Sequence, residues 1–68
     1  MFTNLKKEMV DAQINKRELA KKINISYNTF RDKIRGRTDW KITEMLEIQK
    51  TLGEMTKEQK SIDYLFKL

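Results

Sequence analysis

The centre of this sequence is crowded with cations, and two residue types that do most protein chemistry are missing altogether. Between residues 16 and 41 stand Lys16, Arg17, Lys21, Lys22, Arg31, Lys33, Arg35, Arg37 and Lys41, nine cations, against Glu18, Asp32 and Asp39. That window carries +6 while the whole chain of 68 residues carries +5, so the excess charge is confined to it. Such a segment attracts a polyanion. The chain has no His and no Cys. Their absence removes the usual general base, the Ser–His pair, the thiolate nucleophile and the usual zinc ligands. With Ser26 and Ser61 as the serines, no nucleophile–base pair can be assembled, so the reading is a binding module and not an enzyme. No catalytic residue, metal site or cofactor is expected.

The elements that must hold these cations are short helices. With no Pro, two Gly and 37% charged residues beside 38% hydrophobic ones, the composition favours a folded helical chain. The length allows one domain, 1–68, with one small core. No apolar run approaches the roughly 20 residues of a spanning helix, and no secretory h-region is visible, so a cytoplasmic location is expected. A binder of anionic membranes would need its cations along one long amphipathic helix, whereas these are spread over two short helices and a loop.

Leu5, Met9 and Ala12 fall on one face of a first helix over 4–13, with Thr3 or Asn4 as its cap. Asn15 and Glu18 form a capping box, and Ile14 with Leu19 a hydrophobic staple, so a helix starts at Lys16 and runs to Ile23. The same device repeats with Ser26 as cap and Ile25 with Phe30 as staple, giving a helix over 27–35 that stops at Gly36. Asn24 suits the left-handed backbone of the intervening turn. Trp40 then heads an apolar pattern of Ile42, Met45, Leu46, Gln49 and Leu52, predicting a helix over 42–52 that ends at Gly53. Thr56 to Gln59 fit another capping box, and Ser61 caps a last helix turning Ile62, Leu65 and Phe66 inward. Trp40, Met9, Met45 and Met55 read as packing residues.

Two short helices joined at Asn24-Ile25-Ser26 make a helix-turn-helix. The run KRELAKKINISYNTFRDKIRG resembles the DNA-binding domains of phage Cro and lambda-type repressors, the XRE-type family. The matching features are Leu19-Ala20, Ile23, Ile25-Ser26, Phe30 and Gly36. WKITEMLEIQKTL looks like the family's fourth helix and SIDYLF like its short final element. Two positions depart from the pattern. Asn24 replaces the usual turn Gly, and Lys33-Ile34 place the apolar residue one position late. The resemblance implies an all-α bundle of about five short helices.

It also implies a function: a sequence-specific regulator of phage, prophage or mobile-element type that binds double-stranded DNA. The helix over 27–35 would enter the major groove. Ser26, Tyr27, Asn28, Arg31 and Asp32 would then face base edges, with Asn28 suited to adenine and Arg31 to guanine. Asp32 is read in preference as an i, i+3 partner of Arg35. Asn15, Lys16 and Arg17 on one flank, and Arg35, Arg37, Thr38 and Lys41 on the other, would meet phosphates. Binding as a weak homodimer, cooperative on the operator, is expected, with no small-molecule effector. The dimer surface is placed on Tyr64 and Leu68, which the inward residues of the last helix leave over, joined by Met55. The alternative is a protein-interaction module of the same fold, an antitoxin or anti-repressor, with little DNA specificity.

Overall fold

The structure is a computed structural model, and it describes residues 1–67. Five helices follow one another: α1 Thr3–Asp11, α2 Lys16–Lys22, α3 Tyr27–Ile34, α4 Ile42–Thr56 and α5 Ile62–Leu65. There is no strand among the described residues. No helix is long and apolar enough to cross a membrane.

Local chemistry explains most of the boundaries. Asn15 Oδ1 accepts from the Glu18 N–H at 2.8 Å, and Glu18 Oε1 accepts from the Asn15 N–H at 3.1 Å, which closes the capping box of α2. Ser26 Oγ accepts from Thr29 N–H at 3.1 Å at the start of α3, and Ser61 Oγ accepts from Tyr64 N–H at 3.1 Å at the start of α5.

The ends of α1, α2 and α3 share one construction. Gln13, Asn24 and Gly36 have φ of 56°, 63° and 80°. Each donates its N–H to the carbonyl three residues back: Val10, Lys21 and Lys33. The next residue in each case, Ile14, Ile25 or Arg37, donates five residues back, to Met9, Ala20 or Asp32. This is the Schellman motif, which satisfies two terminal carbonyls and reverses the chain. It turns α2 into α3 within four residues.

The core gathers residues from every helix. Leu5, Leu19, Phe30, Ile34, Ile48 and Leu65 are almost wholly enclosed. Each such side chain contributes roughly 1.5–3 kcal/mol. Trp40 stands edge-on to Phe30 and Phe66 at 5.4 Å and to Phe2 at 6.3 Å, so it is a packing residue. Ala20 is buried on α2, which packs against α3.

Several expectations are corrected. Helix α1 begins at Thr3 behind Phe2 without a side-chain cap, and the Asn4 amide donates instead to the Tyr64 carbonyl at 2.9 Å. Gly53 does not end α4. The helix continues to Thr56 and closes on Lys57 at φ 64°. Gly53 instead lets the returning chain approach, since a Cβ there would lie 3.2 Å from the Gln59 Cα. Thr56 caps no following helix, because its hydroxyl lies 2.9 Å from the Leu52 carbonyl, which it back-bonds.

The inward face of α4 also differs. Ile48 and Leu52 are buried, whereas Ile42 and Leu46 are 60% and 49% exposed. Tyr64 is not on an exposed patch. It is half-buried, and its hydroxyl donates to Glu8 Oε2 at 3.0 Å. Met55 is exposed, and Leu68 lies outside the described residues.

Candidate nucleic-acid interface

Helix α3 lies between two groups of cations. At eight residues it is about 12 Å long, close to the width of the DNA major groove. Its own free face carries Asn28 and Thr29, both exposed, with Arg31 and Asp32 half-buried beside them. Asn28 and Arg31 are three residues apart, hence neighbours on one side of the helix.

At the N-terminal end of α3 the turn brings in the start of α2. The Arg17 guanidinium lies over the Tyr27 ring at 4.2 Å, with Arg31 on the same ring at 6.0 Å. Stacking of this kind holds a guanidinium without consuming its N–H donors. Lys16 and Arg17 line an open cleft with Tyr27 and with Lys6 of α1. Lys6 was not among the expected site residues; the reversal of the chain at Gln13 and Ile14, between α1 and α2, brings it there. Asn15 is exposed but uses its side chain in the capping box. Ser26 is likewise engaged: it accepts from Thr29 N–H and donates to Thr29 Oγ1 at 2.8 Å.

At the other end, Arg35, Arg37, Thr38 and Lys41 are all exposed, on the C-cap of α3 and the loop to α4. Asp32 does not pair with Arg35. No such bridge exists among the described residues, because Arg35 sits at the solvated helix end while Asp32 Oδ1 is turned inward. Asp32 Oδ1 and Arg31 Nε are buried without hydrogen-bond partners. Such groups cost stability in the folded chain, as does the Trp40 Nε1 in the core, which is enclosed in the same way.

The Lys33 side chain is buried, contrary to the solvated role its type suggests. Its ammonium donates to the Asp39 carbonyl at 2.8 Å and to Glu44 Oε1 at 3.0 Å. The same Glu44 oxygen accepts from the Lys41 N–H at 2.8 Å. Burial alone would raise the Glu44 pKa, but the bonds from Lys41 and Lys33 and their charges bring it below the ordinary glutamate value. A second buried carboxylate, Glu8, accepts from Tyr64 and from Lys60 Nζ at 3.3 Å, which ties α1 to α5. Neither network was legible in advance, because both join residues distant in sequence.

No curated protein and no solved structure gives a significant match to the chain. A family model does: the Cro/C1-type helix-turn-helix DNA-binding domain matches residues 4–56. That span runs from α1 to the end of α4 and contains the whole cation-flanked unit, so the chain belongs to the Cro/C1-type helix-turn-helix DNA-binding domain family.

Proposed function

We propose that the protein is a sequence-specific transcriptional regulator of phage, prophage or mobile-element type, which places α3 in the major groove of an operator. The observation that carries this reading is the free face of α3, with Asn28 exposed and Arg31 beside it, between cation groups at both helix ends.

In this reading Asn28 makes a bidentate contact to adenine N6 and N7, and Arg31 one to guanine O6 and N7. Tyr27 packs on a thymine methyl group or bonds a phosphate. Ser26 fixes the start of the helix through Thr29 more than it reads a base. Asp32 reaches a cytosine N4 donor only by swinging its carboxylate out of the position in which Oδ1 is now buried. Lys16 and Arg17, together with the Asn15 end of α2, hold one phosphate strand. Arg35, Arg37, Thr38 and Lys41 hold the other. Lys6 adds to the first group. The domain binds as a weak homodimer that assembles cooperatively on a two-fold operator, which compensates for the few base pairs one module reads.

The test is an alanine series measured on a selected site and on random duplex. Asn28→Ala and Arg31→Ala are expected to lose about 1–3 kcal/mol on the selected site and little on random DNA. Lys16→Ala and Arg37→Ala are expected to weaken both alike and to lower the salt slope by about one each. Equal losses on both DNAs for Asn28→Ala and Arg31→Ala would overturn the assignment of α3 as the reader.

A further inference from the structure

We propose that Lys33 and Glu44 are positioning residues for the DNA interface: together they pin the loop that presents Arg37, Thr38 and Lys41. The proposal rests on the functional reading above and extends it to two residues that touch no DNA.

The geometry is specific. Between Gly36 and the start of α4 the chain has no regular structure to hold it. Lys33 is 6% exposed, and its ammonium bonds the Asp39 backbone carbonyl and the Glu44 carboxylate. Glu44 in turn bonds the Lys41 backbone N–H. Two backbone groups of the loop are thereby fixed, one to the last turn of α3 and one to the first turn of α4. The side chains of Arg37, Thr38 and Lys41 point outward from this fixed track.

Stability alone does not account for the pair. Two enclosed charges lose hydration, and a well-packed apolar pair in such a place is as stable or more so. Trp40 beside Lys33, with ammonium to ring centroid at 6.0 Å, shows that apolar surface is at hand for such a replacement. An apolar pair cannot bond the Asp39 carbonyl or the Lys41 N–H. What it would forfeit is the fixed loop, and with it the cations already placed for phosphate, whose ordering would then be a cost of binding.

The experiment compares the full chain with Lys33→Met/Glu44→Leu and with Glu44→Gln, each tested for thermal stability and for binding to a random-sequence duplex pool at several salt concentrations. The double variant is expected to keep or raise its melting temperature, to bind about tenfold more weakly, and to lose one to two from the salt slope. Glu44→Gln keeps an oxygen that accepts from both Lys33 and Lys41, so it is expected to retain the wild-type slope. A double variant that binds with wild-type affinity and slope overturns the proposal, as does a Glu44→Gln chain that stays folded and loses the slope. Should the double variant fail to fold, Glu44→Ala, which removes the oxygen that accepts from both Lys33 and Lys41, takes its place: a folded Glu44→Ala chain with wild-type affinity and slope overturns the proposal. A wild-type chain that binds no duplex overturns the functional reading as well, whereas unchanged binding in the double variant overturns the positioning role alone.

Discussion

Three of the four left-handed helix ends provide a graded test of the fold, because one motif is built on Gln13, Asn24 and Gly36. A side chain with a Cβ in this conformation costs roughly 1–2 kcal/mol, Asn somewhat less and Gly nothing. Introducing Gly also loosens the unfolded chain, which takes back about 0.4–1 kcal/mol. Gln13 is exposed, so little packing is lost with its side chain. Gln13→Gly should therefore stabilise by about 0.5 kcal/mol, and Asn24→Gly should be close to neutral. Gly36→Ala should cost about 1 kcal/mol or more from its left-handed backbone, while the exposed end of the Met1 side chain can move aside for the new Cβ. For a domain of this size 1 kcal/mol corresponds to about 4–8 °C in melting temperature. Thermal unfolding followed by circular dichroism should therefore show Gln13→Gly raised by about 2–4 °C, Asn24→Gly within about 1 °C, and Gly36→Ala lowered by at least about 4 °C. A fall in melting temperature for Gln13→Gly, or a larger gain at Asn24 than at Gln13, would refute the assignment of strain to these ends.

Ala20→Val should cost about 1–3 kcal/mol by overpacking its buried site on α2, and should weaken DNA binding beyond the loss of folded protein, whereas Ala12→Val on the half-buried edge should do neither. Stability should fall at both extremes of pH. Glu44 is held below the ordinary glutamate value, so its contribution is complete above that value and is lost as pH falls through the lowered one. Lys60 loses basicity to burial but gains more from Glu8 and Glu58 together, and Tyr64 is raised chiefly by its bond to Glu8. Their contributions are complete below their ordinary values and are lost as pH rises through the raised ones. Melting curves across pH check this: Glu44→Gln should flatten the acid limb and Tyr64→Phe part of the alkaline limb. Sedimentation without DNA should find mostly monomer at micromolar concentration, with dimers appearing on the operator, and a tight dimer in free solution would contradict the weak association.

What could be read from the sequence was what short-range chemistry decides. Asn15 with Glu18, Ser26 with Thr29 and Ser61 with Tyr64 act within three residues, so the starts of α2, α3 and α5 were visible. The buried hydrophobic partners Ile14, Leu19 and Phe30 were visible for the same reason. The rotation of α4 was not, because Ile42, Met45, Leu46, Ile48 and Leu52 put apolar side chains on several faces, and only packing selects Ile48 and Leu52. Gly53 carried two meanings, a helix stop and a site of close approach, and the approach of Gln59 realises the second. Gln13 gives no compositional sign of a left-handed residue. The Lys33–Glu44 pair joins two helices and the Glu8–Lys60 pair joins α1 to the segment between α4 and α5, so periodicity along one helix cannot reveal them. On the interface itself, the two cation groups were legible from charge, while the stacking of Arg17 on Tyr27 and the arrival of Lys6 depend on how α1, α2 and α3 fold together.

The central claim, that α3 reads the major groove, is tested most directly by methylation interference on a site selected from randomised duplex. Methylation of guanine N7 blocks the major-groove edge, and methylation of adenine N3 blocks the minor-groove edge. The account predicts that N7 methylation at one guanine in each half-site abolishes binding by the wild-type chain, and that Arg31→Ala, though weaker overall, becomes insensitive to methylation at that guanine. Interference confined to adenine N3, or N7 interference that persists unchanged in Arg31→Ala and Asn28→Ala alike, would contradict it.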